Sequence, residues 1–491
     1  MYNERITILE ETEINFRKIK AMAVMVLMMC LLVPSFAVYA MTGEQASAIQ
    51  SFIEEAGRIS RTPGISVAVV AGDETTFFST GVANRETGTL ADENTLWDIG
   101  SATKAFTSLG ILYLEERGLL SLDDSIAGYL PWLTLRYNGQ PVDMQDVRLY
   151  HFLHHISGLP MDDGTQTGSL RQSVENMVSV GLVTLPGQRF IYNNVNTNIL
   201  GLVIEAVSGQ SYEDFMVAHI LHPLGMMDTF PNRERAIATG RRAQGYVTQF
   251  IFFTMKSDIS NEGAYAYMPA GYFVSSTRDM ARWMEVQLGL VQDIPEIFHT
   301  IIPKSHEAGR SIAESDGRFY AAGWFVSADL SFVEHGGTTF GFGSNVFLFP
   351  EEQIGIAVLS NLSGAHGTQS RPAGNIRDIL DGNLNQSYSM LWTFQHLDVT
   401  FTIMTVLGLV FTVLFTLLGL RRRKQNEHQP HTGKRIALIV FWAVMALAMS
   451  VPLLLFPWLW ERIYSFMTMG IAFSLVFVSI AWFISSPRRS K

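Results

Sequence analysis

The segment Gly100-Ser101-Ala102-Thr103-Lys104, followed by an uncharged and mainly apolar run from Ala105 to Leu114, constrains this chain more than any other. Small residues opening a long apolar helix place Ser101 at its N-terminus, where unpaired backbone N–H groups and the helix dipole favour developing negative charge. At 3.6 residues per turn Lys104 returns to the same face, so its amine can reach the Ser101 hydroxyl. Packing against Phe106 and Leu109 would desolvate that amine and favour its neutral, proton-accepting form. The pair alone is weak evidence. Average serine and lysine usage yields about two S-x-x-K matches by chance in a chain this long, and a serine that only caps a helix has the same spelling. Partners elsewhere must decide.

Of the 491 residues, 48% are hydrophobic and 16% charged, a balance too apolar for an ordinary soluble protein. The excess lies at the two ends, in uncharged runs of membrane-spanning length at 21–40, 399–420, 436–456 and 465–484. Arg17, Lys18 and Lys20 precede the first run, which ends in Val38-Tyr39-Ala40, so residues 1–40 read as a signal peptide, with an uncleaved anchor as the alternative. Basic clusters at Arg421–Lys424, Lys434-Arg435 and Arg488–Lys491 flank the other runs. By the positive-inside rule they lie in the cytoplasm. The expectation is an extracytoplasmic domain over 41–390, then a membrane domain over 397–491 with three transmembrane helices, in a multi-pass protein of the cell membrane.

Charge and cysteine exclude other classes. Residues 41–396 carry a net −17, which argues against nucleic acid as a partner. The single cysteine, Cys30, lies in the first apolar run, so the rest of the chain can form no disulfide and no thiolate metal site. The apolar runs hold almost no ionisable residue, which argues against a transport path.

Along the chain, 45–59 reads as an amphipathic helix, Pro63-Gly64 breaks it, and Ile65–Val70 and Thr75–Thr80 read as strands. Residues 147–207 are mainly helical in pattern, a helical subdomain interrupted at Ser157–Pro160 and Pro186-Gly187. An aromatic stretch over 249–255 could be a lid or ordinary core. A helix is expected over 277–288, strands over 323–326, 332–335, 344–349 and 355–360, and a last helix over 371–380. Strands early and late with helices between suit an α/β (α+β) class, one antiparallel sheet whose chain ends meet, flanked by helices.

Two stretches offer Ser101 partners. In an extended approach to the helix after Asn196, Tyr192 and Asn194 project to the same side, supplying a phenol to relay protons and an amide to hold a carbonyl. His335-Gly336-Gly337-Thr338 ends an expected strand, and two glycines there suit a close backbone approach. His151 and His155 have the i, i+4 spacing of a zinc pair, but no third ligand is evident and Ser/Lys chemistry needs none.

S-x-x-K, then Y-x-N, then H-G-G, in that order, resembles the serine β-lactamase and penicillin-binding protein superfamily, nearest the class C type and its D-aminopeptidase and esterase relatives. Pro63–Val67, Leu153–Leu159, Pro223–Met226 and Pro269–Gly271 resemble further segments of that family. The resemblance covers about 60–385 and implies the β-lactamase/DD-peptidase fold and a serine hydrolase that needs no cofactor and no metal. It implies acylation of Ser101, acid and base work shared by Lys104 and Tyr192, and Asn194 on the substrate amide. The third motif, His335, Gly337 and Thr338, would line the substrate, with the N–H groups of Ser101 and Thr338 as the oxyanion hole. The imidazole of His335 stands where many members carry lysine. It should hold a substrate carboxylate less firmly and make activity titrate in the histidine range. Two functions follow: hydrolysis of an amide or ester in a small peptide or ester substrate, such as a D-amino-acid or peptidoglycan-like peptide, or a non-catalytic covalent sensor that signals to a membrane partner through the C-terminal helices.

Overall fold

The protein was analysed as a computed structural model. It describes residues 41–161, 168–249, 253–257, 261–363, 372–388 and 403–411, with scattered positions from 413 to 480. The expected signal peptide, Cys30 and the centre of the aromatic stretch (250–252) lie outside the described residues.

The first helix, α1 (Gly43–Ser60), starts at a capping box in which Thr42 Oγ1 accepts from Gln45 N and Gln45 Oε1 accepts from Thr42 N. After Pro63, the β-branched run forms β1 (Gly64–Ala71), buried at all eight positions. Gly72, at φ +58°, turns the chain into β2 (Glu74–Asn84), which pairs antiparallel with β1 and carries the short β3 (Thr89–Leu90) at its far edge. β4 (Leu96–Asp98) leads to the central helix α2 (Thr103–Glu116). The helical subdomain holds α3 (Leu170–Val178) and α4 (Asn194–Ser208). β5 (Val274–Ser276) pairs with β4 and opens α5 (Thr277–Gln287), followed by α6 (Glu296–His306).

The chain then returns to the sheet through β6 (Phe319–Tyr320), β7 (Phe325–Val326), β8 (Val333–Thr339), β9 (Phe342–Phe349) and β10 (Ile354–Ser360), and ends this unit with α7 (Pro372–Leu380). The sheet order is β6-β7-β8-β9-β10-β1-β2-β3, antiparallel throughout. Early and late strands therefore meet at the β1–β10 pair, Val67 opposite Val358. Full burial of β1 requires cover on both faces; α1 and α7, packed on each other, and α5 supply it. The aromatic stretch is divided between the two arms of an antiparallel hairpin, Tyr246–Gln249 with Phe253–Lys256.

α2 is enclosed by α4 and α6, and every residue from Ala102 to Leu112 is buried. Phe106 stacks on Trp283 of α5, ring centroids 4.0 Å apart. An apolar helix of this kind is stable only at the centre of a unit, and its first turn is thereby held still from all sides.

One expectation is corrected. The three transmembrane helices at 399–420, 436–456 and 465–484, and with them the multi-pass placement, are overturned: among the described residues no helix is long and apolar enough to cross a membrane. The run at 436–456 and nearly all of 465–484 lie outside the described residues. An apolar window reports composition; a span needs an unbroken helix of the right length.

Candidate active site

Ser101 sits in a 3-10 turn, Gly100–Ala102, that feeds directly into α2. That turn is clamped on both sides. Ile99 N donates to Phe273 O (2.9 Å), and Thr103 Oγ1 donates to Gly100 O (2.7 Å) while accepting from Phe273 N (3.2 Å). On the other side Ser344 Oγ of β9 donates to Ile99 O (2.6 Å). Gly100 has φ +53°, and a Cβ placed on it would fall 2.4 Å from Thr338 N, so only glycine lets β8 come this close to the serine turn. The same holds from the strand, where a Cβ on Gly337 would fall 2.0 Å from Ile99 O. Of the two glycines of the third motif, Gly337 sits at a close backbone approach and brings Thr338 beside the start of the serine turn.

Lys104 is fully buried. Its Nζ lies 3.0 Å from Ser101 Oγ, 2.7 Å from Asn194 Oδ1 and 2.6 Å from Ala270 O. It also lies 4.9 Å from the ring centroid of Tyr192. Groups from three segments, the serine turn, Tyr192–Asn194 and Ala270, converge on this one amine. The α4 cap is Asn193, whose side chain accepts from Val195 N and Asn196 N. Asn194, the first residue of the helix, is therefore turned to Lys104 rather than used as the cap.

His335 departs from expectation. It is buried, its Nδ1 donates to Gly336 O (2.6 Å), and its Nε2 accepts from the Tyr320 hydroxyl (3.2 Å). Burial, with Lys104 nearby, pushes its pKa down to about 3. The ring is therefore neutral across the ordinary range and supplies no pH limb near neutrality. Around it stand Tyr192, Tyr320 and Phe325, with Phe325 at 5.4 Å. His151 and His155 are not turned to a shared ion. His151 Nδ1 accepts from Arg148 N and His155 Nδ1 from Asn193 N, and among the described residues no cluster of three or more His, Cys, Asp or Glu could hold a metal.

Sequence reasoning missed three parts of this arrangement. The Ala270 carbonyl lies in a stretch, Pro269–Gly271, that the resemblance flagged without a role. Tyr320 gave no signal. Asp98, three residues before Ser101, is buried and takes both Nε and NH2 of Arg242 (2.7 and 2.6 Å), with Arg233 Nε 3.6 Å away.

The buried histidines predict an acid-labile fold. Burial lowers His151 and His306 to about 4, His335 to about 3, and His154 and His155 below the ordinary 6.5. Between those values and 6.5 the unfolded chain binds protons that the native rings refuse. Their stabilisation is complete above 6.5 and is lost as pH falls, each ring by up to about 1.4 kcal/mol per pH unit. Asp279, raised by burial to about 6, acts oppositely, as do Glu314 and Glu334, since a carboxyl raised by burial holds a proton that the unfolded one releases, but these are three groups against five. Unfolding free energy measured in urea should fall from about pH 6.5 to about pH 4.5; a flat or rising profile would contradict the burial of these rings.

An S-x-x-K pair with a buried lysine, a Y-x-N turn and a glycine-bearing strand meet at one antiparallel sheet, the serine-hydrolase-like fold of the β-lactamase and penicillin-binding protein superfamily. Residues 49–381 match the Beta-lactamase family, and the chain belongs to it. It is 27% identical to Protein flp of Staphylococcus aureus over 463 residues, 90% of either chain. Among solved structures it is similar to the octameric penicillin-binding protein homologue from Pyrococcus abyssi, with TM-score 0.61 and 27% identity over 69% of this chain and 77% of that one. The Beta-lactamase/D-Alanine Carboxypeptidase from Pseudomonas syringae shares the fold at TM-score 0.57 and 20% identity, over 70% of this chain and 99% of that one.

Proposed function

We propose that this protein hydrolyses an ester or amide through an acyl-enzyme on Ser101. The observation that carries the reading is the setting of Lys104 Nζ between Ser101 Oγ, Asn194 Oδ1 and Ala270 O. With two hydrogens directed at the two carbonyl-type acceptors, a neutral amine turns its lone pair to the serine hydroxyl. It takes the Ser101 proton as Oγ attacks the substrate carbonyl. The N–H groups of Ser101 and Thr338 stabilise the oxyanion, worth about 3–4 kcal/mol for one such donor in other hydrolases. Tyr192 shares the acid and base work and delivers a proton to the leaving group. Asn194 has its carbonyl end turned to Lys104, so Nδ2 is the end that meets a substrate amide. Water then releases the acyl group.

His335 narrows the substrate. A buried neutral ring engaged by Tyr320 and Gly336 offers no cation to a carboxylate beside the scissile bond. The reading is therefore a peptidase or esterase acting on small esters or D-amino-acid peptides that lack a free carboxylate next to that bond. Activity profiling of the full chain against short-chain esters, D-Ala-D-Ala peptides with free or amidated C-termini, and a penicillin tests it, with Ser101→Ala as control. Esters and amidated peptides should exceed free-carboxylate peptides in kcat/KM by about tenfold or more, the scale of one lost ion-pair contact. A preference for the free carboxylates would overturn this substrate class.

A further inference from the structure

We infer that His155 is the positioning residue of Tyr192, holding the phenol in the pose from which it trades protons with Lys104; the inference rests on the function proposed above. Residue 155 takes the amides on both sides of the tyrosine. Ile191 N donates to the His155 carbonyl (2.8 Å), and Asn193 N donates to the His155 imidazole at Nδ1 (3.1 Å). Between those two anchors the His155 ring stacks on the Tyr192 ring, centroids 4.8 Å apart and planes 18° from parallel. One residue thus fixes the backbone before the phenol, the backbone after it and the plane of its ring.

The rest of the neighbourhood serves that grip. His155 stands at φ +53°, a conformation that residues with a Cβ avoid. Its Nδ1 also accepts from Asn196 Nδ2 (3.0 Å), and Asn196 Oδ1 accepts from Ser157 Oγ (2.6 Å). Tyr320 packs edge-on against the ring at 4.5 Å. Two donors on Nδ1 require a neutral imidazole with its proton on Nε2. The ring is 1% exposed, and burial first, then Lys104, His335 and His154, keep it uncharged. An imidazolium would lose the Nδ1 acceptor that holds Asn193 and Asn196.

Double-mutant cycles separate this role from mere packing. His155→Asn keeps an acceptor and suits the left-handed backbone but removes the stacked ring, whereas His155→Phe keeps a ring and removes the acceptor. Each is built alone and with Tyr192→Phe, and kcat, KM and the pH profile of ester hydrolysis are measured. Each single variant should lower kcat by about tenfold or more with KM within about twofold, and shift the pH limb. In the Tyr192→Phe background the same changes should cost less than about twofold, because no hydroxyl remains to be misplaced. Losses that multiply in that background overturn the inference. Tyr192→Phe as active as wild type would overturn the role of the phenol, and this inference with it. Nitrogen NMR of histidine-labelled wild type gives a reading that needs no variant: His155 should keep an unprotonated Nδ1 from about pH 5 to about pH 8, and a protonated Nδ1 overturns the assignment.

Discussion

Lys104→Met is expected to slow acylation of Ser101 by about 10³-fold while the protein stays folded, a loss within the range that a positioned general base contributes. Methionine fills the channel left by the buried stem, so the packing around α2 survives. What is lost is the amine between Ser101, Asn194 and Ala270. Asn194 Oδ1 and Ala270 O would then each lack this donor, for about 1–3 kcal/mol apiece, so the variant should also unfold at lower urea. Single-turnover labelling by a fluorophosphonate, beside near-UV circular dichroism, separates the two effects. A labelling rate within tenfold of wild type would mean that the amine is not the base.

The second large effect is on stability and begins at Asp98. Its carboxylate has no exposure and faces two guanidiniums, from Arg242 and Arg233, that are themselves 9% and 10% exposed. Removing one partner of such a buried set leaves the others uncompensated, which costs about 3–5 kcal/mol. Asp98→Asn should therefore destabilise the fold by roughly 3 kcal/mol. Because Asp98 is followed directly by Ile99 and the serine turn, activity should fall at urea concentrations where the sheet is still intact. Asp98→Asn with an unfolding free energy within about 0.5 kcal/mol of wild type would show that the ion set contributes nothing.

How far the sequence carries depends on whether a feature is local. The β-rich run at Ile65–Val70 and the helix at Gln45–Ile59 reappear almost residue for residue, because hydrophobic period and a capping box act within a few residues. Strand ends were less legible. β2 was expected to stop at Thr80 but continues to Asn84, since Gly81 pairs with Gly64 across the sheet. β8 was expected to end at His335 but continues to Thr339, because Gly336 and Gly337 pair with β9. Glycines read as breaks until a neighbouring strand supplies the partner.

At the site, Ser101 and Lys104 could be paired from helical spacing, and Tyr192 and Asn194 joined them through motif order. The aromatic box could not be read this way. His155, Tyr192, Tyr320 and His335 come from four segments with no common spacing, so only the fold reveals that they touch. The same gap explains His335. Its identity suggested titration near neutrality, whereas burial, with Lys104 nearby, holds it neutral. The apolar C-terminal runs show the opposite error, where a strong local signal was taken for a structure that the described residues do not contain.

The central claim is that Ser101 becomes acylated, and intact mass spectrometry of the full chain after reaction with a fluorophosphonate and, separately, with an ester substrate under acid quench tests it most directly. Wild type should carry one adduct, mapped to the peptide containing Ser101, and Ser101→Ala should carry none. An adduct that persists in Ser101→Ala, or one that maps to another residue in wild type, would contradict the account.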